Sequence, residues 1–187
     1  MNEVEEIFQL LETRGQSGYF GEPVSQLEHA LQCAHFATEE RASNELIAAA
    51  LLHDVGHLLH DQGDNIADQG VDTEHEELGE SWLLRYFGPA VTRPMALHVA
   101  AKRYLCATDE SYVAQLSPAS LQSLRLQGGP MNAEEIAGVE SDEFAKDAVR
   151  LRRWDDLAKI KGKNVPPLGH YRIVLESVLR SSFKPTT

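Results

Sequence analysis

Ala50-Leu51-Leu52-His53-Asp54-Val55-Gly56-His57 sets an adjacent histidine and aspartate inside an otherwise apolar run. Burying an unpaired carboxylate costs on the order of several kcal/mol. A metal ion would cover that cost, because an imidazole and a neighbouring carboxylate can grip one cation while the second carboxylate oxygen reaches another. Upstream, Ser43 or Asn44 can cap a helix whose body, Leu46 to Leu59, is apolar nearly all round, as a central helix should be. His53 and His57, four apart, would share one face of it.

Every flanking segment also reads as helix. Val4, Ile7, Leu10 and Leu11 repeat at helical spacing, and residues 14–25 then form a loop rich in glycine that carries Tyr19 and Glu22. Residues 26–40 form a helix with His29, Cys33 and Phe36 along one side. The segment 61–72 is a polar loop. Thr73 with Glu76 has the form of a capping box for a helix to about Phe87, with His75 in its first turn. Pro94 suits the first turn of the next helix, which runs to about Cys106 and sets Lys102 one turn beyond His98.

Ser117-Pro118 starts another helix, on which Ser120, Ser123 and Gln127 make a polar stripe before Gly128-Gly129-Pro130. From Ser141 to about Lys161 a long helix places Phe144, Ala148, Leu151 and Asp155 on one stripe, and a last amphipathic helix follows Tyr171. The expected fold is all-α, a single domain over 1–187, with a dinuclear metal site between the helices of a bundle.

Composition bounds the function. A net charge of -12 argues against general binding to nucleic acid or to anionic membrane. A small anionic substrate stays open, since metals and one or two basic side chains can make a local positive pocket. The acidic start, Met1-Asn2-Glu3-Val4-Glu5-Glu6, lacks the pattern of a signal peptide, and no apolar run reaches the roughly 18 residues of a membrane span, so a cytoplasmic protein is expected. Cys33 and Cys106 form no CxxC pair and read as buried packing thiols.

The metal-type residues on inward faces are His29, His53-Asp54, His75, His98 and Asp155. Four histidines and two carboxylates exceed one tetrahedral zinc and suit two octahedral first-row ions bridged by Asp54, with positions open for substrate. Taken singly, each histidine would be a satisfied core residue, Lys102 a snorkelling lysine, and the stripe on 120–127 a solvated face. It is their order along the chain that lifts them. His35, His60 and His170 read as non-ligands, and Asp156 as the neighbour that misses the stripe.

This order resembles the HD-domain superfamily, whose pattern of a histidine, a histidine-aspartate pair and a distant aspartate is matched by His29, His53-Asp54 and Asp155. His75 and His98 resemble the additional ligands of members that hold two metals. Tyr-Phe-Gly-Glu at 19–22, Gln-Leu-Glu-His at 26–29, Ala-Leu-Leu-His-Asp-Val-Gly-His at 50–57, His-Val-Ala-Ala-Lys-Arg-Tyr-Leu at 98–105, Gln-Gly-Gly-Pro-Met at 127–131 and Trp-Asp at 154–155 look closest to the di-iron oxygenases of the 2-amino-1-hydroxyethylphosphonate dioxygenase type and their trimethylammonio-substrate relatives.

The resemblance implies a mixed-valent Fe(II)/Fe(III) pair and dioxygen as co-substrate. It also implies cleavage of the C–P bond of a small 1-hydroxyphosphonate, giving phosphate with glycine or, from the N-trimethyl substrate, glycine betaine. His29, His53, Asp54 and Asp155 would hold one iron, and Asp54, His75 and His98 the other. His57 and Lys102, each four residues after a ligand histidine, would meet the phosphonate oxygens, with Ser120, Ser123 and Gln127 completing the contacts. Glu22 resembles the residue that pairs with a substrate amino group, and Tyr19 a loop tyrosine that covers the open iron position until substrate arrives. Catalytic roles thus fall to His53, Asp54, His57 and Lys102. A metal-dependent phosphohydrolase acting on a nucleotide or phosphate ester is the alternative, and a metal-binding domain without activity is a more remote one. The sequence leaves the oligomeric state open, with a monomer among the options.

Overall fold

The computed structural model describes residues 2–59 and 75–180, and among them the chain is helical, with no strand beyond two isolated bridges, Gly18 with Ser25 and Phe87 with Leu179. Ten α-helices follow in order: α1 Glu3–Arg14, α2 Gln26–Glu39, α3 Asn44–Leu52, α4 His75–Leu83, α5 Pro89–Ala96, α6 His98–Thr108, α7 Pro118–Leu126, α8 Ala133–Glu140, α9 Ala145–Leu157 and α10 Arg172–Val178. None of them is long and apolar enough to cross a membrane.

The central helix is α3, capped by Ser43 and buried along Leu46 to Leu52. It packs against α2, α5, α9 and α10. Each fully buried leucine or isoleucine there contributes about 1.5–3 kcal/mol of burial relative to exposure. Leu105, Tyr112, Leu116 and Leu124 form a second, smaller apolar cluster between α6 and α7. Cys33 is fully buried in the main core, whereas Cys106 is only half-buried beside this second cluster, less enclosed than expected.

Several helices end earlier than their apolar patterns suggest. α3 stops at Leu52 rather than Leu59, and after His53 and Asp54 the chain tightens into a 3-10 turn, Val55–Leu58. The cause is a close backbone approach: a Cβ on Gly56 would lie 1.9 Å from the His75 carbonyl oxygen and 3.1 Å from the Gly79 nitrogen. Only a bare turn at Gly56 lets α4 settle there. His53 and His57 therefore do not share one α-helical face.

The segment expected as one helix from Pro94 is two. Pro89 occupies the first turn of α5, Pro94 lies inside it, and α6 begins at His98. α4 ends at Leu83, short of Phe87, and α9 runs from Ala145 to Leu157 rather than from Ser141 to Lys161. Beyond Leu157 the carbonyls of Ala158 and Ile160 turn inward to His29 and Gln32, which withdraws them from a helix. α8 was not foreseen, although Asn132 and Glu135 form a full capping box. Thr73, His60 and the loop 61–72 lie outside the described residues.

Candidate metal centre

All six expected ligands sit at helix ends or in the turns beside them. His29 is in the first turn of α2, placed by the Ser25–Glu28 capping box. His53 and Asp54 follow α3, His75 opens α4 and His98 opens α6. Asp155 lies in the last turn of α9. All six are buried.

They converge as two facing pairs. His29 Nε2 is 3.1 Å from His53 Nε2, and His75 Nε2 is 3.1 Å from His98 Nε2. Asp54 lies between the pairs. Its Oδ2 is 3.3 Å from His53 Nε2 and 3.6 Å from His29 Nε2, while its Oδ1 is 3.3 Å from His75 Nε2 and 3.4 Å from His98 Nε2. Asp155 joins the first pair alone, with Oδ1 3.4 Å from His29 Nε2 and Oδ2 3.9 Å from His53 Nε2.

The opposite edges of the rings are anchored. His29 Nδ1 donates to the Ala158 carbonyl at 2.9 Å, His53 Nδ1 to Ala50 at 2.9 Å and His98 Nδ1 to Met95 at 2.6 Å. His75 Nδ1 lies 3.3 Å from the Glu76 carboxylate. A carbonyl can only accept, so Nδ1 carries the proton and a neutral ring presents a bare lone pair at Nε2. Two bare lone pairs at 3.1 Å repel unless a cation lies between them. Asp155 Oδ1 is, in addition, a buried oxygen with no hydrogen bond. The donor set therefore fits two metal ions, with Asp54 offering one oxygen to each.

Protons take over part of this role where carboxylates alone face the rings. Burial disfavours charge on His53, but Asp54 outweighs it and raises that imidazole well above the usual histidine range. Asp54 is conversely held well below the carboxylate range, with burial overruled by His53 and by hydrogen bonds from His75 and His98. For His98 burial prevails and lowers the value.

The loop before α2 covers the centre. Tyr19 stacks on His29 with centroids 3.8 Å apart and donates its hydroxyl to Asp54 Oδ2 at 2.8 Å. Glu22 N bonds to Tyr19 O at 2.7 Å, closing a turn in which Phe20 (φ 43°) and Gly21 (φ 77°) both have left-handed backbone. That conformation is unfavourable for phenylalanine. It aims the Phe20 ring at Tyr19, 5.1 Å away, and at His57, 4.6 Å away. His57 in turn stacks on His75 at 3.8 Å.

A polar wall stands on α6 and α7. Lys102 is buried and donates to Ser123 Oγ at 2.8 Å, and Ser123 Oγ donates to the Ser120 carbonyl. Burial pushes the Lys102 ammonium down to about 7, and the nearby Arg152 pushes in the same direction. Gln127 follows α7 as its C-cap, with its Oε1 buried and without a hydrogen bond.

Two functional candidates escaped the sequence reading. Arg152 is buried one turn before Asp155 and bonds to its Oδ2 at 2.7 Å; it also pairs with Asp156, which shares a short hydrogen bond with Tyr112. An arginine and an aspartate three apart on a buried stripe was the available signal. Lys159 donates to Ser120 Oγ at 2.9 Å and lies 3.6 Å from Glu22 Oε1. Nothing local in the sequence marks that pairing. His35 pairs with Glu39, and His170 is exposed, both away from the centre.

Comparison with known proteins agrees with this geometry. The HD domain matches residues 27–147, which hold every ligand candidate except Asp155. A hydroxymethylphosphonate dioxygenase of Gimesia maris is 49% identical over 180 residues, 96% of this chain and 89% of that protein. The [1-hydroxy-2-(trimethylamino)ethyl]phosphonate dioxygenase (glycine-betaine-forming) of Leisingera caerulea is 40% identical over 178 residues, 95% and 91% of the two chains. The uncharacterized protein L432 of Acanthamoeba polyphaga mimivirus is 35% identical over 181 residues, 96% and 83% of the two chains.

Proposed function

The chain belongs to the HD-domain family, and from that premise we propose that it is a di-iron oxygenase that uses dioxygen to cleave the C–P bond of a small 1-hydroxyphosphonate. The observation that carries this reading is the pair of facing Nε2 couples divided by the two oxygens of Asp54. It is joined by nearly full-length similarity to two proteins named as phosphonate dioxygenases.

His29, His53, Asp54 and Asp155 would hold one iron, and Asp54, His75 and His98 the other. A mixed-valent Fe(II)/Fe(III) pair there would supply the one-electron chemistry of dioxygen and a Lewis-acid hold on the substrate's hydroxyl and phosphonate oxygens. The chain's own residues do the rest. The Lys102 ammonium faces the α7 serines as a point charge for a phosphonate oxygen. His57, stacked on His75, places a second donor next to the ligand ring, and Ser120, Ser123 and Gln127 offer neutral hydrogen bonds. Tyr19 and Phe20 close the loop side against water. The Tyr19 hydroxyl rests on Asp54 Oδ2, the oxygen that faces His29 and His53, so its side chain would act as a gate on that side of the centre.

Both atoms of dioxygen end in the products, one in the carboxylate and one in phosphate. Iron-loaded protein supplied with hydroxyphosphonates should therefore consume one dioxygen for each phosphate released. Phosphate release without dioxygen, supported by manganese or magnesium, would instead mark a metal-dependent phosphohydrolase and overturn the reading.

A further inference from the structure

We propose that Lys159 is a specificity-determining residue: by facing Glu22 from within the chain it fills the place of a substrate ammonium and directs the site to hydroxyphosphonates without a cationic group, of which hydroxymethylphosphonate is the simplest. This rests on the oxygenase reading above and deepens it.

Glu22 and Tyr19 are the two ends of one tight turn, so the loop that brings the Tyr19 hydroxyl to Asp54 also fixes where the Glu22 carboxylate stands. That carboxylate is largely enclosed, at 13% side-chain exposure, and a carboxylate so placed seeks a cation. Lys159 Nζ supplies one at 3.6 Å and is itself only 12% exposed.

The lysine is not free to leave. On one side of it the Ala158 carbonyl accepts from His29 Nδ1 at 2.9 Å; on the other, Ile160 exchanges two hydrogen bonds with the Gln32 side chain, at 2.9 and 3.0 Å. Its ammonium is further held by Ser120 Oγ at 2.9 Å. A substrate carrying its own ammonium or trimethylammonium would bring a second cation to a carboxylate already paired, and like charges set side by side are disfavoured. A substrate without that group meets no such conflict. Its phosphonate finds Lys102 on Ser123 and Lys159 on Ser120, two ammonium groups on one wall.

For hydroxymethylphosphonate the reaction balances with dioxygen alone. The C–P bond breaks, the carbon is oxidised to formate, phosphorus leaves as phosphate, and each product takes one oxygen atom. Among the described residues Glu22 Oε1 makes no hydrogen bond and is met only by the charge of Lys159 at 3.6 Å, so removal of the lysine would leave a carboxylate ready for an external ammonium.

The test compares hydroxymethylphosphonate with 2-amino-1-hydroxyethylphosphonate on wild type, Lys159→Met and the double variant Glu22→Gln/Lys159→Met. Phosphate release is measured in air, and equilibrium binding of both compounds is measured without dioxygen. Wild type should favour hydroxymethylphosphonate in kcat/KM by at least about tenfold. Lys159→Met should shift that ratio toward the amino compound by on the order of tenfold, in binding as well as in turnover. The double variant should lose the gained affinity for the amino compound, which a merely loosened loop would not do. A wild-type preference for the amino compound, or a Lys159→Met ratio equal to that of wild type, overturns the assignment. Absence of phosphate release from both compounds with every variant overturns the oxygenase reading itself.

Discussion

His29 and His53 face each other between α2 and the end of α3, and behind them stand Asp155 and, one turn earlier on α9, Arg152. His75 and His98 face each other at the starts of α4 and α6, and among the described residues Asp54 is the one carboxylate placed against both of their Nε2 atoms. Among the described residues one half of the centre is thus the more closed, with two carboxylates, and the other the more open, with one. A catalytic metal needs open positions, whereas a closed sphere serves structure. On the proposed function the first half would have the holding role and the second would receive a chelating substrate, on the side where His57 stacks.

Removing the shared group should break both halves together. Asp54→Ala is expected to lower turnover by on the order of 10³-fold or more and to bring iron below one equivalent per chain, read by metal analysis beside a phosphate assay. A variant that keeps two irons would show that Asp54 does not join them.

Arg152→Met attacks only the closed half. It strips the cation from the buried Asp155 and the partly buried Asp156. Breaking such a pair costs about 3–5 kcal/mol, to be measured by denaturant unfolding of iron-free protein. Added iron should recover part of the loss, because a metal on Asp155 supplies the missing positive charge. An unchanged midpoint would mean that the arginine does not support this half.

The smallest effect falls on the polar wall of α6 and α7. Burial lowers Lys102 to about 7, so its ammonium is present below that pH and is lost above it. The affinity advantage of wild type over Lys102→Met for a phosphonate, roughly tenfold at pH 6, should shrink as pH rises past 7. Taking the ratio of the two proteins cancels the titration of the phosphonate. A ratio constant from pH 6 to 9 would remove Lys102 from the anion site.

The same contrast separates what could be read in the sequence from what could not. The candidate ligands were legible because histidine and aspartate are conspicuous in apolar runs such as 46–59, and because helical spacing puts Asp155, not Asp156, on the buried stripe. Helix ends set by contacts between distant segments were hidden. No local signal tells that Gly56 will meet the His75 carbonyl, so the break after Leu52 could not be foreseen, and with it went the shared face of His53 and His57. The α8 capping box was visible at Asn132 and Glu135, but the segment lacks buried residues, and periodicity passes over such a helix. The pairing of Glu22 with Lys159 joins residues far apart in the chain, and a glycine-rich loop suggests exposure rather than a paired carboxylate.

The most direct measurement of the centre is an anaerobic iron titration of the metal-free protein, comparing wild type with His98→Ala. Wild type should take up close to two irons per chain, and His98→Ala close to one, retained by His29, His53, Asp54 and Asp155. A single iron in wild type, or loss of all iron on replacing His98, would contradict a dinuclear centre with one closed and one open half.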